Sequence, residues 1–251
     1  MIRGILFDKD GTLIDFRRTW MPAYRGLALD LAARIDPEGG ISRQEDLGAS
    51  LLAHLGYDRA GDRFAPDSPL LWATNDDVAA ALARLPALRG IDVPAIVSNH
   101  VSDAERYPPA PVGDLDSLFA RLRSFGLQLG IATMDTTEAA QSLAARLGLV
   151  RHLAYIAGFD AGHGEKPAAG MVLGFCAATG LMPAEVVVVG DTRADLAMAR
   201  AAGAQAAVAV LTGALPASAL HPFADQVLDT IHDLEAWLID TGRLASAAAR
   251  R

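Results

Sequence analysis

Gly4-Ile5-Leu6-Phe7-Asp8-Lys9-Asp10-Gly11-Thr12-Leu13 is the stretch from which the architecture is read. Its first four residues run without polar alternation straight into two aspartates and a glycine. That is the pattern of a short strand buried on both faces and ending in a turn. Outward from it, apolar runs recur at Leu127 to Ala132, Ala154 to Ala157, Val186 to Val189 and Ala206 to Val210, with helical patterns between them. Leu115, Leu118, Phe119 and Leu122 repeat at helical spacing, as do Leu143, Leu147 and Leu149. The two patterns run out near Gly126 and Gly148, as helices often do. Strands alternating with helices imply an α/β fold built on a parallel sheet.

Between about Asp15 and Ala110 the pattern changes to helical segments without clear strands: Tyr24 to Ile35, Arg43 to Leu55, Asp76 to Leu85 and a last one near Ile96 to Arg106. Tyr107-Pro108-Pro109-Ala110-Pro111 cannot continue a helix and reads as a stiff linker back to the sheet. The expected organisation is a core made of residues 1–15 and 111–251, with residues 16–110 inserted as a helical domain whose ends lie close to Asp8. Arg243 to Arg251 read as a helical tail. The chain has no internal repeat.

Composition excludes several function classes. A formal charge of −8 and a pI near 5.2 argue against an electrostatic grip on nucleic acid or on an anionic membrane. Met1 leads at once into the first strand, which leaves no room for a signal peptide, and no apolar run approaches the roughly 20 residues of a membrane span. A cytoplasmic protein is expected. The only cysteine, Cys176, lies among Val172, Leu173, Phe175 and Ala177 and reads as core filler. Of 22 basic residues only Lys9 and Lys166 are lysines. In a chain that otherwise uses arginine, a lysine marks a place for a compact, flexible ammonium.

Open parallel sheets bind ligands at the carboxyl ends of their strands, so the polar residues after each apolar run are the candidates for chemistry. Asp8 and Asp10 follow the first run, two apart, so both can point to one side while Lys9 points to the other. They also fit a plain acidic turn at Gly11. Thr133 follows the second run. Gly190, Asp191 and Asp195 follow the four valines, where Asp191 or Thr192 can equally be a helix N-cap. Lys166-Pro167, beyond the Ala154 to Ala157 run, fits either a ligand contact or a surface helix start. Several carboxylates converging on one sheet edge repel one another and call for a cation, and hard oxygen ligands suggest magnesium. Lys166 and Thr133 supply the complement, an ammonium and a hydroxyl able to hold phosphoryl oxygens beside it.

These residues together resemble the haloacid dehalogenase-type phosphohydrolase superfamily, in its phosphoglycolate-phosphatase-like branch. Asp8-Lys9-Asp10-Gly11-Thr12-Leu13 is similar to the first motif of that family, Thr133 to the second, Lys166-Pro167 to the third, and Gly190-Asp191 with Asp195 to the fourth. The resemblance implies a Rossmann-like core with a helical cap inserted after the first motif, and a magnesium-dependent phosphatase acting on a small phosphorylated metabolite, best 2-phosphoglycolate. It implies Asp8 as nucleophile, forming an aspartyl-phosphate, and Asp10 as general acid and base. Thr133 and Lys166 would orient phosphoryl oxygens. Magnesium would lie between Asp8, the Asp10 backbone carbonyl and Asp191, with Asp195 holding Lys166 or a metal-bound water.

Lys9 departs from the family, which more often has an apolar residue there, and resembles the phosphorylation run of cation-pumping ATPases. Those have threonine in place of Asp10, and dehalogenases also lack the second aspartate, so both activities are disfavoured. Lys9 reads as a solvated or salt-bridged flank with no catalytic role. His54, His100, His152, His163, His221 and His232 show no metal-binding spacing. Arg17 and Arg18 read as exposed helix-start residues, with reach to a substrate carboxylate as the other option. A phosphosugar mutase of the same fold and a receiver-like phospho-signalling module are the alternatives, and the oligomeric state is not legible.

Overall fold

The computed structural model describes residues 1–102 and 105–244, and their contacts group into two compact units, Met1–Asp15 with Pro111–Arg251 and Phe16–Ala110. Along the chain come β1 (Gly4–Phe7), then α1 (Phe16–Ile35), α2 (Ile41–His54), the short strands β2 (Tyr57–Asp58) and β3 (Arg63–Phe64), α3 (Asn75–Ala83) and α4 (Val93–Val101). The chain continues through α5 (Leu115–Ser124), β4 (Gln128–Ala132), α6 (Thr137–Arg146), β5 (Leu153–Ala157), α7 (Gly170–Thr179), β6 (Val186–Gly190) and α8 (Arg193–Ala202). It ends with β7 (Ala206–Val210), α9 (Ala217–Leu220), β8 (Gln226–Leu228) and α10 (Leu234–Asp240).

Six strands form one sheet in the order β5-β4-β1-β6-β7-β8, and every neighbouring pair is parallel. β1 lies in its middle, with Phe7 opposite Ile131 on one side and Val189 on the other. All four residues of β1 and all five of β6 and β7 are buried, which is why these strands read as unbroken apolar runs. On one face Ile5, Phe7, Leu129, Val187, Val189 and Val208 pack with Leu118, Phe119 and Leu122 of α5. The Phe7 and Phe119 rings stack with centroids 5.0 Å apart. Burying such a side chain is worth about 1.5–3 kcal/mol, so the strand that carries Asp8 is fixed by its own apolar residues. Cys176 is buried in α7 without a disulfide, and burial first, then Glu185, pushes its thiol up in pKa.

The chain leaves the sheet unit after Asp15 and returns to it at Pro111, where Ile14 bridges Pro111 and Val112 N–H donates to the Leu13 carbonyl at 3.0 Å. Residues beyond 244 of the expected tail lie outside the described residues. Arg243 and Leu244 are tied in, the Arg243 carbonyl accepting the Ile2 N–H at 3.0 Å and Leu244 being buried.

In the smaller unit α1 packs against α2 and α4. Three sequence expectations shift here. α1 begins at Phe16 and runs through Pro22, because Phe16, Thr19, Met21 and Ala23 are buried along it and offset the hydrogen bond that proline removes. The last helix spans Val93–Val101 instead of Ile96 to Arg106, capped by the Asp92 side chain accepting the Ala95 N–H at 3.1 Å. β2 and β3 form a small antiparallel hairpin in a region read as free of strands. Each is two residues long, below what an alternation pattern can register. Among the described residues, no helix is long and apolar enough to cross a membrane.

Candidate active site

The hydrogen-bond ladder of β1 runs one residue past the strand, Asp8 N–H donating to the Val189 carbonyl at 2.8 Å, so Asp8 sits buried at the carboxyl end of the central strand. The chain then turns back at once. The Lys9 carbonyl accepts from Leu13 N–H at 2.9 Å and Ile14 N–H at 3.2 Å, while Gly11 N–H donates to the Ile14 carbonyl at 2.7 Å. Gly11 makes this turn with φ +83°, a left-handed conformation that costs any residue with a Cβ.

Asp191, at the end of the neighbouring β6, is held by that turn. A Cβ on Gly11 or on Gly213 would collide with its carboxylate. The Thr12 hydroxyl reaches Asp191 Oδ1 at 3.5 Å, and the Thr212 hydroxyl donates to the Gly11 carbonyl at 2.6 Å. Thr212 and Gly213 follow β7 after one residue, Leu211. Sequence reading passed over them, although a Thr-Gly pair at the carboxyl end of the fifth apolar run obeys the same strand-end rule that singled out Asp8.

Lys166, which precedes a cis peptide bond to Pro167, is buried and is no surface helix start. Its Nζ donates to Asp8 Oδ1 at 2.5 Å and to Asp195 Oδ1 at 2.6 Å. The other oxygen of Asp195 accepts from Thr192 N–H at 3.0 Å and from the Thr192 hydroxyl at 2.5 Å, closing a capping box at the start of α8. Thr192, and not Asp191, is therefore the N-cap. Both oxygens of Asp195 are engaged.

Asp8, Asp191 and Asp195 present carboxylate oxygens within 4.8 Å of one another, all three residues buried. Burial pushes the Asp8 carboxyl up to about 7; Lys166 pulls against it, and the charges of Asp195 and Asp10 add to the rise. Asp191 is raised well above the carboxylate range by burial and then by Asp8 and Asp195. Lys166 is itself raised, because Asp195 and Asp8 outweigh the burial that works against its charge. Oxygen donors whose negative charge is this poorly compensated fit a hard divalent cation, and among the described residues this is the one such group.

Asp10 stands apart from that trio. β1 ends at Phe7, so the two-residue alternation no longer governs position 10. The Asp10 carboxylate turns to Lys9, whose Nζ lies 2.7 Å from Asp10 Oδ2 and 3.2 Å from Asp135 Oδ2. Lys9 is 3% exposed, which rules out a solvated flank and leaves the salt-bridged one. Burial opposes its charge, and Asp10 and Asp135 outweigh it and raise its pKa. Asp135 follows β4 and was missed in the sequence, two places beyond Thr133. Thr133 is buried at the end of β4, and its hydroxyl oxygen accepts the Asp135 N–H at 3.1 Å.

Arg17 belongs to the smaller unit and is committed there, 2.8 Å from Asp62 and over the Phe64 ring. His100 is buried between Asp30 and Tyr107, at 3.3 and 3.1 Å.

The family model described as haloacid dehalogenase-like hydrolase matches residues 2–203. The chain is similar to a phosphoglycolate phosphatase of Chromobacterium violaceum, 32% identical over 234 residues that cover 93% of this chain and 95% of that protein. Among solved structures it shares its fold with a phosphatase from Thermococcus onnurineus at 22% identity and TM-score 0.64, covering 95% and 98% of the two chains. It also shares its fold with a family hydrolase from Deinococcus radiodurans holding phosphate and sodium, at 20% identity and TM-score 0.64, covering 98% and 99%.

Proposed function

This chain belongs to the haloacid dehalogenase-like hydrolase family, and on that premise we propose that it hydrolyses a small phosphomonoester, 2-phosphoglycolate first, with magnesium and an aspartyl-phosphate on Asp8. The observation that carries the reading is the buried Asp8 carboxylate at the central strand end, gripped on one oxygen by Lys166 and facing Asp191 and Asp195. The relative named phosphoglycolate phosphatase supports the choice of substrate.

In this reading the Asp8 oxygen not held by Lys166 forms the new bond to phosphorus while the ester oxygen leaves. Asp10 gives that oxygen a proton, then takes one from the water whose oxygen displaces Asp8 from phosphorus. Lys166 and the Thr133 hydroxyl hold phosphoryl oxygens in place. Asp8 and Asp191, with the Asp10 backbone carbonyl, would hold the magnesium ion, which when bound offsets the charge of phosphate and carboxylates. Asp195 is spent on Lys166 and Thr192 and keeps the lysine aimed. The helical unit, residues 16–110, would act as the cap that selects the leaving group.

A panel of phosphomonoesters assayed with magnesium and with chelator tests this. Turnover is expected only with the metal and highest on 2-phosphoglycolate. Metal-independent turnover, or none on any ester, would sink the reading, and a sugar phosphate isomerised instead of hydrolysed would make the chain a mutase. Gly213→Ala is expected to keep the fold and lose on the order of 10²-fold in kcat/KM, since a displacement near 1 Å at a reacting group costs about that much. Steady-state kinetics and a thermal melt check it. Gly213 lies outside the left-handed positions, so the loss would come from crowding Asp191 alone.

A further inference from the structure

The two lysines of this chain do the same thing at the same sheet edge. Lys166 joins Asp8, at the end of β1, to Asp195, beyond β6. Lys9 joins Asp10, in the turn after β1, to Asp135, beyond β4. The outer anchor is itself fixed: Asp135 Oδ1 accepts the Thr136 N–H at 2.8 Å, its N–H donates to Thr133, and its carbonyl accepts the Phe159 N–H at 3.1 Å. That leaves Oδ2 directed at Lys9.

Asp10 is the group that most needs such a hold. It lies past the last ladder hydrogen bond of β1, in a turn whose hinge is a left-handed glycine, and its side chain is a quarter exposed, against 10% for Asp8. A carboxylate there has rotamer freedom that the strand does not remove. An ammonium on one of its oxygens, anchored at the far side by a second carboxylate, fixes its rotation. A planar guanidinium is larger and rigid, which accounts for lysine in a chain that uses arginine almost everywhere.

We propose that Lys9 is a positioning residue that holds the Asp10 carboxylate in its proton-transfer orientation, with Asp135 as its anchor. This rests on the reading of Asp10 as acid and base given above, and it assigns Lys9 no contact with substrate.

The test separates the two chemical steps. p-Nitrophenyl phosphate has a leaving group that needs no protonation, so its attack by Asp8 is independent of Asp10, whereas hydrolysis of the aspartyl-phosphate still needs the base. For Lys9→Met, rapid mixing is expected to show one nitrophenolate released per site at close to the wild-type first-turnover rate. Steady turnover should then be slower by on the order of 10²-fold, as misplacing a reacting group costs. With 2-phosphoglycolate, whose leaving alkoxide needs the proton, the first turnover itself should slow by a similar factor. Asp135→Asn, which leaves both site carboxylates and Lys9 in place, should show the same split at smaller size.

Equal losses in both phases would make Lys9 a general structural support and overturn the inference, as would wild-type kinetics in Lys9→Met. If Lys9→Met does not fold, Asp135→Asn decides by the same criterion. A wild-type protein that turns over neither ester would instead strike the proposed function itself.

Discussion

Asp8→Asn is expected to bring phosphomonoester turnover down by at least roughly 10⁴-fold while leaving the protein folded. The amide keeps the shape of the carboxylate, and Lys166 keeps Asp195 as a partner at 2.6 Å. In the proposed mechanism the variant loses the anionic oxygen that forms the bond to phosphorus, and no other carboxylate is placed to replace it. Asp195 has both oxygens engaged, Asp191 is wedged between Gly11 and Gly213, and Asp10 is turned to Lys9. Stability should be equal to or slightly above wild type, because a buried negative charge beside Asp191 and Asp195 disappears. Single-turnover quenching with labelled ester should trap phosphate on the wild-type protein and none on the variant. A variant keeping more than a few per cent of activity would remove Asp8 from the mechanism.

Lys166→Met has the second large effect, and it falls on stability as well as turnover. The lysine side chain is 3% exposed and touches two carboxylates that are 10% and 1% exposed. Removing one partner from a buried ionic group costs about 3–5 kcal/mol, because the charges left behind stay desolvated. The pH dependence has a definite sign. In the metal-free protein Asp8 rises from its ordinary 3.8 to about 7 on folding, through burial foremost, and Asp191 is raised as well. A carboxyl with a raised folded pKa keeps a proton in the fold that it loses on unfolding, so its contribution to stability falls as pH climbs through that window. Without the ammonium the fall should steepen. Urea unfolding in chelator at about pH 5 and about pH 8 is expected to show the deficit of the variant widening at the higher pH. A deficit that is equal at both, or absent, would mean that Lys166 does not hold the carboxylates together.

The parts of the molecule legible in sequence are those where one physical rule dominates. β1, β6 and β7 are buried on both faces and stand out as apolar runs within a residue of their ends. β8 has three residues, only one of them buried, and carries no such run. At the site, Asp8, Asp191 and Asp195 were found by their places after strands, because strand ends are where the backbone pattern determines the neighbourhood, and Lys166 by the scarcity of lysine in an arginine-rich chain. Asp135, Thr212 and Gly213 were passed over, and Lys9 was left open between a solvated and a salt-bridged flank, because their neighbours are set by turns that bring chain segments together. Sequence spacing contains nothing of the 3.2 Å between Lys9 and Asp135, residues 126 positions apart. Proline at position 22 hid the first turns of α1 in the same way, since the packing that sustains the helix across it lies elsewhere in the chain.

The place of β1 in the sheet order bears on how the protein is made. It precedes both of its neighbours on the chain, β4 beginning at Gln128 and β6 at Val186. On the ribosome, four apolar residues with two open edges must therefore wait until most of the chain has emerged. The inserted helical unit lies wholly between β1 and the first of these partners, so its local contacts can form during that delay, whereas the sheet depends on distant pairings of the kind that fold slowly. Assembly of the sheet edge that carries Asp8 is thus a late event in biosynthesis, and a chain arrested before Val186 has no Asp191 to set beside Asp8.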